Sequence, residues 1–147
     1  MATRTIPEIW ETDDDSSLSI NKLREKYIGF ARTHFIKVPH LAVINQNTGW
    51  EIQITMQVIK EWRQKSRTRP RILAIRLLDE MIISAELVKT VKDNKNTRGI
   101  ESVSEFENFC VIEGKQYKIR FIVKKQPGRY FIYYYGAIEH FDKKKPR

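Results

Sequence analysis

The chain has 147 residues, three histidines, one cysteine and a formal net charge of +9, which allows a folded core. Cys110, alone of its kind, excludes an intrachain disulfide and a cysteine-based zinc cluster. No apolar run approaches the ~20 residues that span a bilayer, and the acidic, polar start MATRTIPEIWETDDDSS is not a signal peptide. The expected location is therefore the cytoplasm, or a target cell reached as part of a larger protein.

Residues 1–16 read as an acidic tail or linker, with Glu8, Glu11, Asp13, Asp14 and Asp15 against Arg4. Residues 17–147 read as a single domain, more basic than the total charge suggests. Such a body favours a polyanionic partner, nucleic acid first and an acidic protein surface second. The Asp-Asp-Asp-Ser-Ser run offers N-cap oxygens, and a helix is expected from about Leu18 to His34. Ile20, Leu23, Tyr27, Phe30 and Ala31 recur there at helical spacing. Pro39 bars its continuation.

A hairpin follows. Leu41–Ile44 and Trp50–Thr55 flank an Asn/Gly-rich reversal, and Trp50, Ile52 and Ile54 alternate with Glu51, Gln53 and Thr55. Met56 to about Ser66 reads as a short helix that buries Val58, Ile59 and Trp62. Its exposed side opens a basic run, Lys60, Arg63, Lys65, Arg67, Arg69 and Arg71. Such a run binds phosphates or is a solvated connection. A long helix is expected from Arg71 to about Val88, then a mobile basic loop to Gly99 carrying Lys89, Lys92, Lys95 and Arg98.

The last third reads as a three-strand meander, with Phe106–Ile112 leading into two β-runs around Pro127-Gly128. In Tyr117–Lys124 the odd positions are apolar and the even ones are Lys118, Arg120, Ile122 and Lys124. One face should enter the core and the other present cations. A hairpin loop of even length sets Arg120 opposite Tyr135 and Ile122 opposite Tyr133. Lys118, Arg120, Lys124, Tyr133 and Tyr135 then share a face, while Phe121, Val123, Ile132 and Tyr134 share the core side. An odd loop exposes Tyr134 instead. The class is α+β, with N-terminal helices packed on a four- to five-stranded antiparallel sheet.

His34, His40 and His140 lack metal-ligand spacing, and no cofactor motif is present, so neither metal nor cofactor is expected. Cys110, among Phe109, Val111 and Ile112, reads as a buried structural thiol. Metal-free RNA cleavage remains within reach, because the 2′-hydroxyl can attack its own phosphate when a base, an acid and positive charge are supplied.

The motif order VINQNTGWEIQIT, LLDEMIISAELVKTVKDNKN and EFENFCVIEGKQYKIRFIVKK, closed by an aromatic strand, resembles the polyvalent-protein nuclease domains of phages and mobile elements. These belong to the barnase/EndoU/colicin/RelE-like superfamily of metal-independent ribonucleases. The resemblance covers about residues 36–140. It implies a toxin or effector that cleaves tRNA or mRNA and is neutralised by an acidic immunity or antitoxin protein, without a membrane role. Tyr117-Lys118-Ile119-Arg120 matches a strand that places a basic residue in several members. On that footing Arg120 would stabilise the phosphorane, Lys118 would assist, and Tyr135 or His140 would handle the proton. Lys60, Arg63, Arg67, Arg69, Lys92, Lys95, Arg98, Lys124 and Tyr133 would hold RNA. The closing strand departs from the pattern, with Tyr133-Tyr134-Tyr135-Gly136 where a histidine is common. The alternative is a non-catalytic module of a phage or mobile-element protein that binds nucleic acid or protein.

Overall fold

The computed structural model describes residues 6–35, 41–92, 99–134 and 139–140, with backbone only beyond Tyr130. The strands are β1 (Glu8–Ile9), β2 (Leu41–Ile44), β3 (Glu51–Ile54), β4 (Glu86–Lys92), β5 (Ser102–Ile112), β6 (Lys115–Gln126), β7 (Arg129–Tyr134) and β8 (Glu139–His140). The helices are α1 (Asp13–Ser16), α2 (Ile20–Phe35), α3 (Met56–Lys65), α4 (Arg69–Ala74) and α5 (Leu78–Ser84), and a 3₁₀ turn at Ile75–Leu77 joins the last two. The class is α+β.

Among the described residues the strands form one sheet ordered β1-β5-β6-β7-β3-β2, with β4 on β5 and β8 on β6. It is wider than the expected four or five strands, and it is mixed rather than antiparallel. β1 pairs parallel with β5, and β3 parallel with β7. The β5–β6–β7 meander sets the geometry. Glu113 and Gly114 both have positive φ (53° and 78°), the two-residue turn that matches strand twist. Pro127-Gly128 closes the next hairpin, pairing Gln126 with Arg129 and Ile122 with Tyr133. The loop is even, as the alternation requires, so Phe121, Val123, Ile132 and Tyr134 occupy core-face register positions.

Helices α2 to α5 pack on that core side. Leu23, Tyr27, Ile28, Ala31 and Phe35 of α2 and Val58, Ile59 and Trp62 of α3 pack with Ile52, Ile54, Phe106, Cys110, Ile119, Phe121 and Val123 from the sheet. Burial of this apolar surface is the main stabilising term.

The expected long helix ends at Ser84, and Glu86–Lys92, expected partly as helix and partly as loop, is a strand. Two buried asparagines explain the stop. Asn45 Nδ2 donates to the carbonyls of Ile82 (2.7 Å) and Ala85 (2.9 Å), and Asn108 Nδ2 donates to that of Met81 (2.8 Å). These side chains satisfy helix-end carbonyls that otherwise lack partners. Asn45 Oδ1 also accepts from the backbone N–H and the hydroxyl of Thr48, at 2.9 Å each. Asn45→Ala should therefore lower unfolding free energy by about 2 kcal/mol, measured by urea denaturation, because two buried carbonyls lose their donor.

The acidic segment is not a solvated tail over residues 6–16. Val111 N–H donates to the carbonyl of Pro7 (2.8 Å) and Glu113 N–H to that of Ile9 (3.0 Å), which fixes β1 along β5. Thr12 caps α1 by accepting from the Asp15 N–H (3.0 Å). Asp15, read as part of a run that offers N-cap oxygens, is 0% exposed. Its carboxylate accepts from Tyr27 Oη (2.6 Å) and pairs with Lys26. Burial alone would raise its pKa, but the hydrogen bonds from Lys26, Tyr27 and Thr12, with the Lys26 charge, bring it down to about 2.

Candidate nucleic-acid interface

The sheet face turned away from the helices carries Lys118 and Arg120, two of the four residues expected to be catalytic. Lys118, Arg120, Ile122 and Lys124 alternate with the buried Ile119, Phe121 and Val123. Arg120 is exposed, and Lys118 and Lys124 are half-buried. This face is not the cationic surface the single strand suggested. Register places Glu107 opposite Arg120, Phe109 opposite Lys118, Glu105 opposite Ile122 and Val103 opposite Lys124. Lys118 Nζ lies 3.1 Å from Glu107 Oε2. Across β5, Lys89 stands opposite Glu105 and Glu86 opposite Glu107. Acids on β4 and β5 thus alternate with bases on β4 and β6, and the face is close to charge-balanced. Opposite charges across strands stabilise the pairing itself.

Glu105 and Glu107 were missed as members of this face. The Glu-Phe-Glu alternation and the two-residue Glu113-Gly114 turn carry the signal, since together they fix which side chains oppose Lys118 and Arg120. Tyr133 sits opposite Ile122 at a register position on the same face. His140 pairs with Tyr117 and Glu139 with Lys118, which puts His140 in the core-side register of Tyr117 rather than beside Arg120. Tyr135, Lys95 and Arg98 lie outside the described residues. Lys92 ends β4 opposite Ser102, exposed and in the register of Thr90 and Ser104, on the other side of the sheet from Lys118.

The basic run after β3 divides in two. Lys60, Arg63, Lys65 and Arg67 are exposed. Arg69 turns inward: its Nε donates to Glu11 Oε1 (2.7 Å), Nη1 to the Leu18 carbonyl (3.1 Å) and Nη2 to the Asp15 carbonyl (2.7 Å). Arg69 therefore clamps the N-terminal segment and is not available on the surface as expected. Arg71 is half-buried with its guanidinium 5.6 Å over the Trp62 ring, and burial lowers its pKa to about 10.

The exposed members form a cleft. Arg24 of α2 meets Arg63, Gln64 and Arg67 of the α3 region around a volume of about 460 Å³. Lys60, Arg63 and Gln64 share one face of α3 at i, i+3 and i+4, and Arg67 follows just beyond the helix end. Two of the three guanidiniums are held by protein acceptors. Arg24 donates to the Ser66 carbonyl (3.3 Å) and to Asn21 Oδ1 (2.8 Å). Arg63 Nε donates to Glu25 Oε1 (2.8 Å), with Nη2 at 2.7 Å, and the guanidinium holds the Glu25 carboxyl below its ordinary range. Arginine forks fixed in this way suit phosphate oxygens. Arg24 had not been singled out from the sequence, because it reads as one cation among several on the polar side of α2.

The hydrophobic core lies between this cleft and the open sheet face, so Lys60, Arg63 and Arg67 do not share a groove with Lys118 and Arg120. Cys110 is buried and its thiol is pushed up to about 12, which removes it as a nucleophile at neutral pH. Among the described residues no group of three His, Cys, Asp or Glu side chains could hold a metal ion, and no helix is long and apolar enough to cross a membrane.

A family model described as large polyvalent protein-associated domain 3 matches residues 19–134, from the start of α2 to the end of β7. The chain belongs to that family. No curated protein and no solved structure matches it. The chain is therefore a polyvalent-protein domain of phage or mobile-element type. The domain match takes in the whole arginine cleft and the β5–β6–β7 face. It leaves outside the segment with β1, Glu11 and Asp15, which Arg69 nevertheless ties to the body.

Proposed function

We propose that this domain is an RNA-binding module of a larger polyvalent protein, with the Arg24–Arg63–Arg67 cleft as its phosphate contact. The observation that carries the reading is three guanidiniums around one cleft, two of them already held in place. Preorganised donors lose less side-chain entropy when an anion arrives. Lys60 extends the positive stripe, and the net charge of +9 favours capture of a polyanion. The test is binding of a short single-stranded RNA by fluorescence anisotropy at low salt. Binding that weakens steeply with added salt supports the reading, and no binding at low salt sinks it.

A metal-independent endoribonuclease is a second reading, favoured by one arrangement on the open sheet face. Glu107 lies 3.1 Å from Lys118 and opposite Arg120. A carboxylate in that place could take the 2′-hydroxyl proton while the cations meet the phosphorane charge. On this reading the domain acts as a toxin on tRNA or mRNA, and an acidic immunity protein covers the face. Cleavage of total RNA in EDTA, lost by at least about 100-fold in both Glu107→Gln and Arg120→Ala, is the expected result. Intact RNA after prolonged incubation with the wild type would leave binding as the only activity.

A further inference from the structure

The charge and size of the arginine cleft point to one kind of phosphate. We propose that it is a site for a phosphomonoester dianion, the terminal phosphate of an RNA strand, rather than for the internal phosphodiesters. The proposal rests on the RNA-binding reading above and narrows it.

Arg24, Arg63 and Arg67 line the cleft and one of them, Arg63, pairs with a carboxylate, Glu25, which leaves the lining with a positive surplus. That surplus matches a dianion, whereas an internal phosphodiester brings a single negative charge. The cleft volume, about 460 Å³, falls within the range of small-molecule sites. Gln64, on the same lining, supplies both a donor and an acceptor for a ribose or a base edge. The end of α3 adds another polar group at the cleft's margin. Ser66, whose carbonyl accepts from Arg24, is fully buried, and its hydroxyl has no hydrogen-bond partner among the described residues. Arg24 and Arg63 use part of their donor sets on Asn21, Ser66 and Glu25. Since a guanidinium has five N–H donors, further donors remain for phosphate oxygens.

The experiment compares RNA oligonucleotides of one sequence that carry either a phosphate or a hydroxyl at the 5′ or 3′ end, labelled at the opposite end. Binding to the full chain is read by anisotropy. A terminal phosphate at one end should strengthen binding about tenfold at pH 7.5, as expected for one added charge-assisted contact. The preference should fade as pH drops toward 5, because the second phosphate pKa lies near 6. Arg63→Gln and Arg67→Gln should each weaken the preference, and a nucleoside monophosphate should compete for it. Failure of the monophosphate to compete would overturn the single-phosphate site. Equal binding of phosphate- and hydroxyl-ended RNA, still dependent on the arginines, would overturn the proposal and leave the RNA-binding reading standing. No binding of either RNA would overturn both.

Discussion

Asp15→Ala should destabilise the domain by about 3 kcal/mol in urea denaturation at neutral pH, and Asp15→Asn by less. Tyr27, 2% exposed, donates its hydroxyl to this carboxylate, and Lys26 pairs with it. Alanine leaves the Tyr27 hydroxyl buried without its acceptor. Asparagine keeps an oxygen acceptor but gives up the charge. The same group sets a pH dependence. Its folded pKa, about 2, lies below the ordinary aspartate value of about 3.9. A depressed folded pKa means that the stabilisation is fully present above about pH 5 and is lost as pH falls through about 2, to a total of about 2.5 kcal/mol. Asp15→Asn should abolish that slope. A loss below about 1 kcal/mol in Asp15→Ala would mean that the N-terminal segment is not integral to the fold.

Much of this fold could be read from local pattern. The 3.6-residue stripe of Leu23, Tyr27, Phe30 and Ala31 gave α2, and the strict alternation of Trp50–Thr55 gave β3. The odd-apolar run in Tyr117–Lys124 and the turn at Pro127-Gly128 gave the β6–β7 register as far as Tyr134. What could not be read depends on partners far away in sequence. β1 has two residues and exists because β5, about a hundred positions later, offers an edge. Leu78, Ile82 and Ala85 continue a helical stripe, but Asn45 and Asn108 stop the helix at Ser84 from other strands. Asp15 looks like its neighbours Asp13 and Asp14, and only Tyr27 and Lys26 distinguish it. The candidate site shows the same limit. Exposed cations on α3 were legible as a run, but Arg69 and Arg71 are half-buried, Arg69 against the N-terminal segment and Arg71 over Trp62. Arg24 became a partner of Arg63 and Arg67 only once α2 packed beside α3. The sheet face looked cationic because β6 was considered without the glutamates of β5.

The second large effect concerns the cleft. Replacing Arg24, Arg63 and Arg67 together by glutamine should weaken RNA binding by about 100-fold at low salt, since three charge-assisted contacts are lost. The fold should survive. Arg63 and Arg67 are exposed and Arg24 is half-buried, and among the described residues the partners given up are Glu25, Asn21 and the Ser66 carbonyl. Surface pairs of this kind contribute about 0 to 1 kcal/mol each. By contrast, Lys118→Gln should change RNA affinity little, because that ammonium is already engaged by Glu107.

The most direct measurement of the central claim is the salt dependence of RNA binding by the wild type and this triple variant. Each phosphate contact on a single strand adds about −0.7 to the slope of log K against log salt, so the variant, which gives up the phosphate held by the cleft, should have a slope shallower by about 0.7. Equal slopes and equal affinities in the two proteins, with both folded, would contradict the assignment of the cleft.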